Sequence, residues 1–391
     1  METFKTLNTL IIREWKRIFS IPNFYVVLLI IPLLVFPFYP FIYSKGAVHE
    51  LPVAVWDEDM SPVSRTLTDM LDAAAGLNIV GRATSAADVK QQMQEGKIFG
   101  AVHFPKNLEA DAKKGRPTSL TLYTNSSALV PSQLIYKDAA AILIKGSLAI
   151  VLQKAKRSGM PENQAMALVQ PVKLNMVTLY NPDFSYKHYL GPGLITVGLQ
   201  MAIIIASVLI LNIEKARNTL PGLLKISTSS SQIIFTKTLA HLSVSWINFV
   251  LIFCLVLPLY GIEMQGSWQN IFLLYNLLAL ACIGLGMMVS ALSDKLLFCV
   301  DLALFYTAPA FVFSGFTFPK TAMPWYDQLY AGAMPYSYFL DGFIRLFYMG
   351  LPLEYISSEI YALLIFIGIS FPVAIILYQF KLNKIRHEAG H

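Results

Sequence analysis

Two apolar runs, Tyr189 to Leu211 and Thr238 to Tyr260, stand on either side of the polar, Ser-rich segment Asn212 to Lys237. Each run is long enough to cross a hydrocarbon layer about 30 Å thick as a helix. The segment between them is therefore read as a loop joining two membrane spans. It carries Lys215, Arg217, Lys225 and Lys237 against the single acid Glu214, and a short loop this basic is expected to face the cytoplasm. Fixing that side fixes every other loop by alternation. The composition agrees: 55% of residues are hydrophobic and only 14% charged, too few to cover a soluble globule. The net charge of +6 would raise nucleic acid as a partner in a soluble protein. Here much of the basic excess lies beside spans, where it sets topology and meets membrane lipid headgroups, so no nucleic-acid partner is expected. Cys254, Cys282 and Cys299 all fall inside apolar runs, and no disulfide framework is implied.

Residues 1–20 read as an amphipathic helix on the cytoplasmic surface, with Phe4, Leu7, Ile11, Trp15 and Ile18 on one face and Lys5, Arg13, Lys16 and Arg17 elsewhere. Residues 21–43 form the first span. Its prolines Pro32, Pro37 and Pro40 predict a kink or unwinding toward the outer end. Residues 44–188 change to soluble composition and predict an extracytoplasmic α/β domain. LPVAVWDED is a strand, Ser61 and Pro62 open a helix, and further strands fall at Asn78 to Gly81, Phe99 to Phe104 and Ser119 to Thr124. Ser132 to Arg157 reads as a helical stalk returning to the membrane. Asp57, Glu58, Asp59 and His103 are the nearest approach to an acid-base set, but acids at strand ends are ordinarily solvated turn residues, and catalysis is not expected.

Residues 189–391 supply five more spans, with the loop 212–237 inside and an aromatic, Pro-interrupted stretch at 314–353 outside. Such broken backbone is tolerated at membrane depth only where protein or water covers it, which predicts a re-entrant or interfacial helical hairpin. Asp341 and Arg345 lie one helical turn apart there and are able to pair. Asp301 lies about 9 Å along its helix from the Ser293-Asp294-Lys295 turn, where a carboxylate is costly unless paired or hydrated. It is either a coupling or pathway residue, or an acid bonded to a neighbouring span or reaching interfacial water. Lys381, Lys384 and Arg386 keep the C-terminus inside, so both termini are cytoplasmic.

Six stretches in order, VAVWDEDMSPVSRTL, IFGAVHFPKNLE, YNPDFSYKHYLGPG, IEKARNTLPGLLKISTSSSQIIFTK, FSGFTFPKTAMPWY and MPYSYFLDGFIRLFYMG, carry a resemblance across nearly the whole chain. The chain resembles the permease subunits of type-2 ATP-binding-cassette exporters, in the subgroup with a large extracytoplasmic domain between the first and second spans. The resemblance implies a bacterial cytoplasmic (inner) membrane protein and a dimer with a second copy or a homologous permease. It further implies a separate cytoplasmic ATP-binding-cassette ATPase, with room for a periplasmic adaptor. By position in the motif, Glu214, Arg217, Thr219, Leu220 and Leu224 would form the ATPase-coupling loop. The chain departs from the motif at Ala216 and Asn218 and at Pro221-Gly222, so the coupling helix either begins at Pro221 or is broken there.

No G-x-x-x-x-G-K-[ST] occurs in the sequence; Gly96-Lys97 lacks the earlier glycine and is followed by Ile98. The chain is thus read as a transport subunit with no cofactor of its own, ATP and magnesium belonging to the partner. Tyr306, Phe311, Phe313, Phe316, Tyr336 and Tyr338 are candidates to line a path for a lipophilic or amphipathic substrate: a drug-like compound, a secreted metabolite or a lipid-linked molecule. The alternative is a membrane-anchored surface receptor or adhesion protein of the same one-plus-five-span layout, with no ATPase.

Overall fold

The computed structural model describes residues 2–44, 49–169, 179–182 and 185–389, which divide into two compact units. The larger unit holds six helices long and apolar enough to cross a membrane: Pro22–Ile42, Tyr186–Ala216, Ser230–Leu259, Trp268–Leu292, Leu296–Phe313 and Leu353–Arg386. The fourth span packs along both the second and the sixth. The second span is the most enclosed, whereas the first, fifth and sixth leave most of their apolar surface on the outside of the unit. A helix apolar on all sides is a membrane span or a core helix. These three are the lipid-facing or partner-facing kind.

Proline shapes the spans differently from the sequence expectation. The first span does not unwind toward its far end; it stays helical through Pro37 and Pro40 to Ile42. Its irregularity lies earlier, in a π-helical stretch at Val26–Ile30, two residues before Pro32. The third span repeats the device at Val250–Val256, two residues before Pro258. A proline ring presses on the preceding turn and lacks the N–H for its hydrogen bond, and a widened turn accommodates both.

The helices flanking the basic loop run further than hydropathy alone indicates. The second span continues to Ala216 and the third begins at Ser230, with a short helix at Leu220–Leu224 between them. Pro221 sits in the first turn of that loop helix, where its missing N–H has no partner to lose. The loop helix is therefore not broken at Pro221. One end of the unit carries this loop, the 293–295 turn and the last turns of the sixth span. The opposite end carries the helical hairpin Trp325–Gly332 and Pro335–Phe343.

The smaller unit contains β1 (Leu51–Asp57), α2 (Pro62–Asp72), β2 (Leu77–Arg82), α3 (Ala86–Gln94), β3 (Gly100–Phe104), α4 (Leu108–Lys114), β4 (Thr121–Thr124), α5 (Leu129–Arg157) and α6 (Glu162–Val169), counting Glu2–Ser20 as α1. The strands form one sheet in the order β2-β1-β3-β4, parallel except for the last pair. Alternate residues face opposite sides. Val53, Val55 and Val102 meet Leu67, Leu71, Ile135 and Ala139 on one face, and Ala54 and Ala101 meet Val89 and Ile98 on the other. The first half of α5 is therefore a core helix of this unit and not a free stalk. Residues 45–48, which follow the expected domain start at residue 44, and residues 170–178 and 183–184, the last pair within the YNPDFSYKHYLGPG stretch, lie outside the described residues.

Ser61 and Ser64 form a reciprocal capping box at the start of α2, and Ser64 Oγ also donates to Asp57 Oδ2 at 2.7 Å. Ser64 is fully buried, so its loss removes one donor from the Asp57 carboxylate, which keeps the Asp59 and Met60 N–H groups, and leaves the Ser61 N–H without its acceptor. Ser64→Ala is expected to cost about 1–2 kcal/mol locally, read as faster amide exchange in α2 with exchange in the spans unchanged.

Candidate functional site

Glu214, on the last turn of the second span, is completely buried and is the hub of an ionic network at the loop end. Arg13 on α1 donates to both of its oxygens at 2.8 Å, and Arg17 on the next turn of α1 also pairs with it. Lys237, 2% exposed on the third span, donates to Glu214 at 2.9 Å and to Glu14 at 2.6 Å. Thr219, immediately before the loop helix, donates from its hydroxyl to Glu214 Oε2 at 2.6 Å. Arg13 also reaches the Thr219 carbonyl at 3.3 Å. One carboxylate thus joins four elements: α1, the second span, the loop helix and the third span.

The chain folds this way because α1 brings its charges inward. Residues at three- and four-residue intervals share a helix face. Leu10, Glu14, Arg17 and Ile18 are the buried ones, and α1 lies along the third span. Burial alone would raise the Glu14 carboxyl, but Lys237, His241 and Arg17 around it hold it well below the usual carboxylate range. Buried ions are tolerated only when paired and hydrogen-bonded. Here Arg13, Arg17 and Lys237 face Glu14 and Glu214.

A second cluster ties the same end together. Lys381 on the sixth span pairs with Asp294 in the turn between the fourth and fifth, and Lys215 donates to Asp294 at 2.6 Å. Lys381 also donates to Asn212 Oδ1 at 3.1 Å and to the Ser293 carbonyl at 3.2 Å. Asn212, Glu214 and Lys215 are consecutive or nearly so on the second span. Its last turn therefore links the α1 and loop-helix network to the inner bundle.

At the opposite end, aromatic hydroxyls donate to backbone carbonyls of neighbouring elements. Pro192 cannot donate to the carbonyl of His188, four residues back. The Tyr348 hydroxyl donates to that carbonyl instead, and the Tyr336 hydroxyl donates to Gly193 O at 2.9 Å. The Tyr189 hydroxyl donates to Phe316 O at 2.5 Å while its ring stacks on Phe316. Tyr348→Phe should cost about 1–3 kcal/mol, and less in a Pro192→Ala background where the helix can supply the missing donor. A double-mutant cycle in thermal melts reads that difference; equal costs would disconnect the proline from the tyrosine.

A family model described as ABC-2 family transporter protein matches residues 22–376. This chain belongs to the ABC-2 transporter family. It is 23% identical over 385 residues to the probable multidrug ABC transporter permease YbhR of Escherichia coli K12, covering 97% of this chain and 99% of that one. It is 20% identical over 379 residues to the probable multidrug ABC transporter permease YbhS of the same strain, covering 94% and 96%. ABC transporter G family member 20 of Dictyostelium discoideum is 23% identical over 292 residues, which span 73% of this chain and 38% of that protein. The chain is thus a multi-pass membrane protein of a transport family, with an ATP-binding-cassette subunit as the implied partner.

Within this ABC-2 chain, the loop residues named from sequence occupy different positions. Glu214 and Leu220 are buried, Thr219 and Leu224 half-buried, and Arg217 exposed. The exposed surface of the loop is Arg217, Asn218, Pro221, Gly222, Lys225 and Thr228. Of the aromatic candidates, Tyr336 and Phe316 are packed inside the unit. Tyr306, Phe311, Phe313 and Tyr338 are half-buried, with the Tyr306 hydroxyl donating to Ala333 O at 2.6 Å and that of Tyr338 to Gly332 O at 3.2 Å.

Asp341 and Arg345 do not pair with each other. Asp341 takes Lys320 at 2.6 Å and Arg345 takes Glu359 at 2.9 Å, because the helix passes into a π-helical turn at Ile344–Tyr348 and other elements present nearer partners. Asp301 is exposed on the fifth span beside Leu297, Phe298 and Phe305, and among the described residues it has no hydrogen-bond partner. Among the described residues it is not bonded to a neighbouring span.

Glu14, Arg13, Arg17, Lys237 and His241 were missed as site residues by sequence reasoning, which placed the two arginines off the apolar face of α1. The available signal was a Glu-Arg pair at three-residue spacing within α1, together with a lysine at the head of an apolar run.

Proposed function

We propose that the chain is the permease subunit of an ATP-driven exporter, powered by a separate cytoplasmic ATP-binding-cassette ATPase. In this reading the Glu214 end faces the cytoplasm, and the permease works in the inner membrane as a dimer with a second copy or a homologous permease. ATPase closure moves α1 and the loop helix together. The observation that carries this is Glu214 itself, whose one carboxylate bonds both elements and the two spans behind them. A displacement of the loop helix is then delivered to the second and third spans through hydrogen-bonded ion pairs, not through a flexible tether.

The cargo proposed is lipophilic or amphipathic, drug-like compounds first, because the Escherichia coli relatives are named as probable multidrug permeases. The half-buried aromatics Tyr306, Phe311, Phe313 and Tyr338 would flank its route. Membership in a transporter family favours this reading over the surface-receptor alternative. The test is purification of the tagged chain from its native host in mild detergent. A stoichiometric cytoplasmic ATPase whose hydrolysis rises on association is the expected result. A chain that emerges with surface partners and no ATPase overturns the proposal.

A further inference from the structure

The smaller unit contains a cleft of about 590 Å³ between α2, α4 and α5, within the range of about 300–1,000 Å³ typical of small-molecule sites. One wall is apolar, made by Val63, Leu67, Met70, Ala149 and Ile150. Gly146 lets that wall close up, since a side chain there would run into Leu67. The other end is cationic. The C-terminal turns of α4 and α5 converge, bringing Lys113, Lys154 and Arg157 to the rim, and Lys154 reaches over to the Gly115 cap of α4.

Lys113 is already paired with Glu109 at 2.6 Å. Lys154 and Arg157 have no carboxylate partner among the described residues. Neighbouring Lys156, by contrast, has its acid in Glu162 at 2.7 Å. Two exposed cations without a carboxylate partner, at the rim of an apolar trough, are complementary to a molecule with an apolar body and an anionic head. A neutral lipid tail would leave the cations unused, and a small hydrophilic anion would leave the apolar wall uncovered.

We propose that this cleft binds a single-chain amphipathic anion, its tail along Leu67, Met70 and Ile150 and its carboxylate, sulfate or phosphate at Lys154 and Arg157. This goes beyond the export reading and does not depend on it, because binding is read without transport.

The test uses the full chain in nanodiscs of zwitterionic lipid. The probe is a twelve-carbon carboxylic acid carrying a diazirine in its tail, and the alcohol of the same chain is the neutral control. The acid is expected to crosslink peptides spanning 62–70 and 146–157, and the alcohol only weakly. In the Lys154→Glu/Arg157→Glu variant, labelling of those peptides should fall about ten-fold, the loss of two charge-assisted hydrogen bonds, while labelling of the spans stays constant. The Lys154→Gln/Arg157→Gln variant, which introduces no new repulsion, should lose label in the same peptides. Equal labelling by acid and alcohol, crosslinks confined to the spans, or labelling indifferent to both variants would overturn the proposal.

Discussion

Replacing Glu214 by glutamine is expected to destabilise the permease by about 3–5 kcal/mol and to abolish export. This is the cost range of removing one partner from a buried ionic group. The amide keeps the shape and can still accept from Thr219, but it removes one of the two negative charges facing Arg13, Arg17 and Lys237. Three cations would then face the single carboxylate of Glu14, with Glu14 and Lys237 buried and Arg13 and Arg17 only partly exposed. The measurement is a thermal melt of the purified chain, with membrane abundance and export assayed in parallel. Glu214→Asp serves as the comparison, since it keeps the charge and shortens the reach, and it should lose less stability than the glutamine variant. If Glu214→Gln melted and exported like the parent, the network would be neither a structural hub nor a transmission element.

The same residue shows where the sequence was informative and where it was not. Long apolar runs announce spans because lipid demands about 20 apolar residues per crossing, and all six candidate helices fall where those runs lie. The Ser61-Pro62 helix start was legible because capping is a local event, complete within four residues. The ionic network was not. Glu14, Glu214 and Lys237 are more than 200 residues apart at the extremes, and each alone looks like a surface charge beside a span. Only the packing of α1 on the third span makes them interior.

Tyr348 was illegible for the same reason. Pro192 advertises an orphaned carbonyl at His188, but nothing in the local sequence names the donor, which arrives from 160 residues away. The pairing of Asp341 with Arg345 failed in the opposite sense. Helical spacing allowed it, but Lys320 and Glu359, on other elements, lie closer in the folded chain. Local rules propose contacts, and tertiary competition decides among them.

Leu223 and Gly222 are adjacent on the loop helix and should respond to the same substitution in opposite ways. Leu223 is 1% exposed and belongs to the apolar core of the larger unit, whereas a side chain added at Gly222 would meet nothing within 4 Å. Leu223→Asp puts an unpaired carboxylate into that core and should sharply lower the amount of folded chain in the membrane. Gly222→Asp should leave abundance and melting unchanged, since leaving glycine in a helix is itself mildly favourable. Its carboxylate would stand on the exposed loop surface, beside Pro221 and Lys225, where the proposed ATPase must dock.

A new charge at the centre of an interface that was built without it typically costs several kcal/mol. Gly222→Asp is therefore expected to lower ATPase co-purification by about 100-fold, which corresponds to roughly 2.7 kcal/mol. Leu223→Asp loses the permease first and the ATPase only as a consequence. Quantifying ATPase per folded permease separates the two. A Gly222→Asp chain that retains its ATPase in full and still exports would show that the exposed face of the loop helix is not the contact, and would move the search to the outward side of α1, at Ile12 and Lys16.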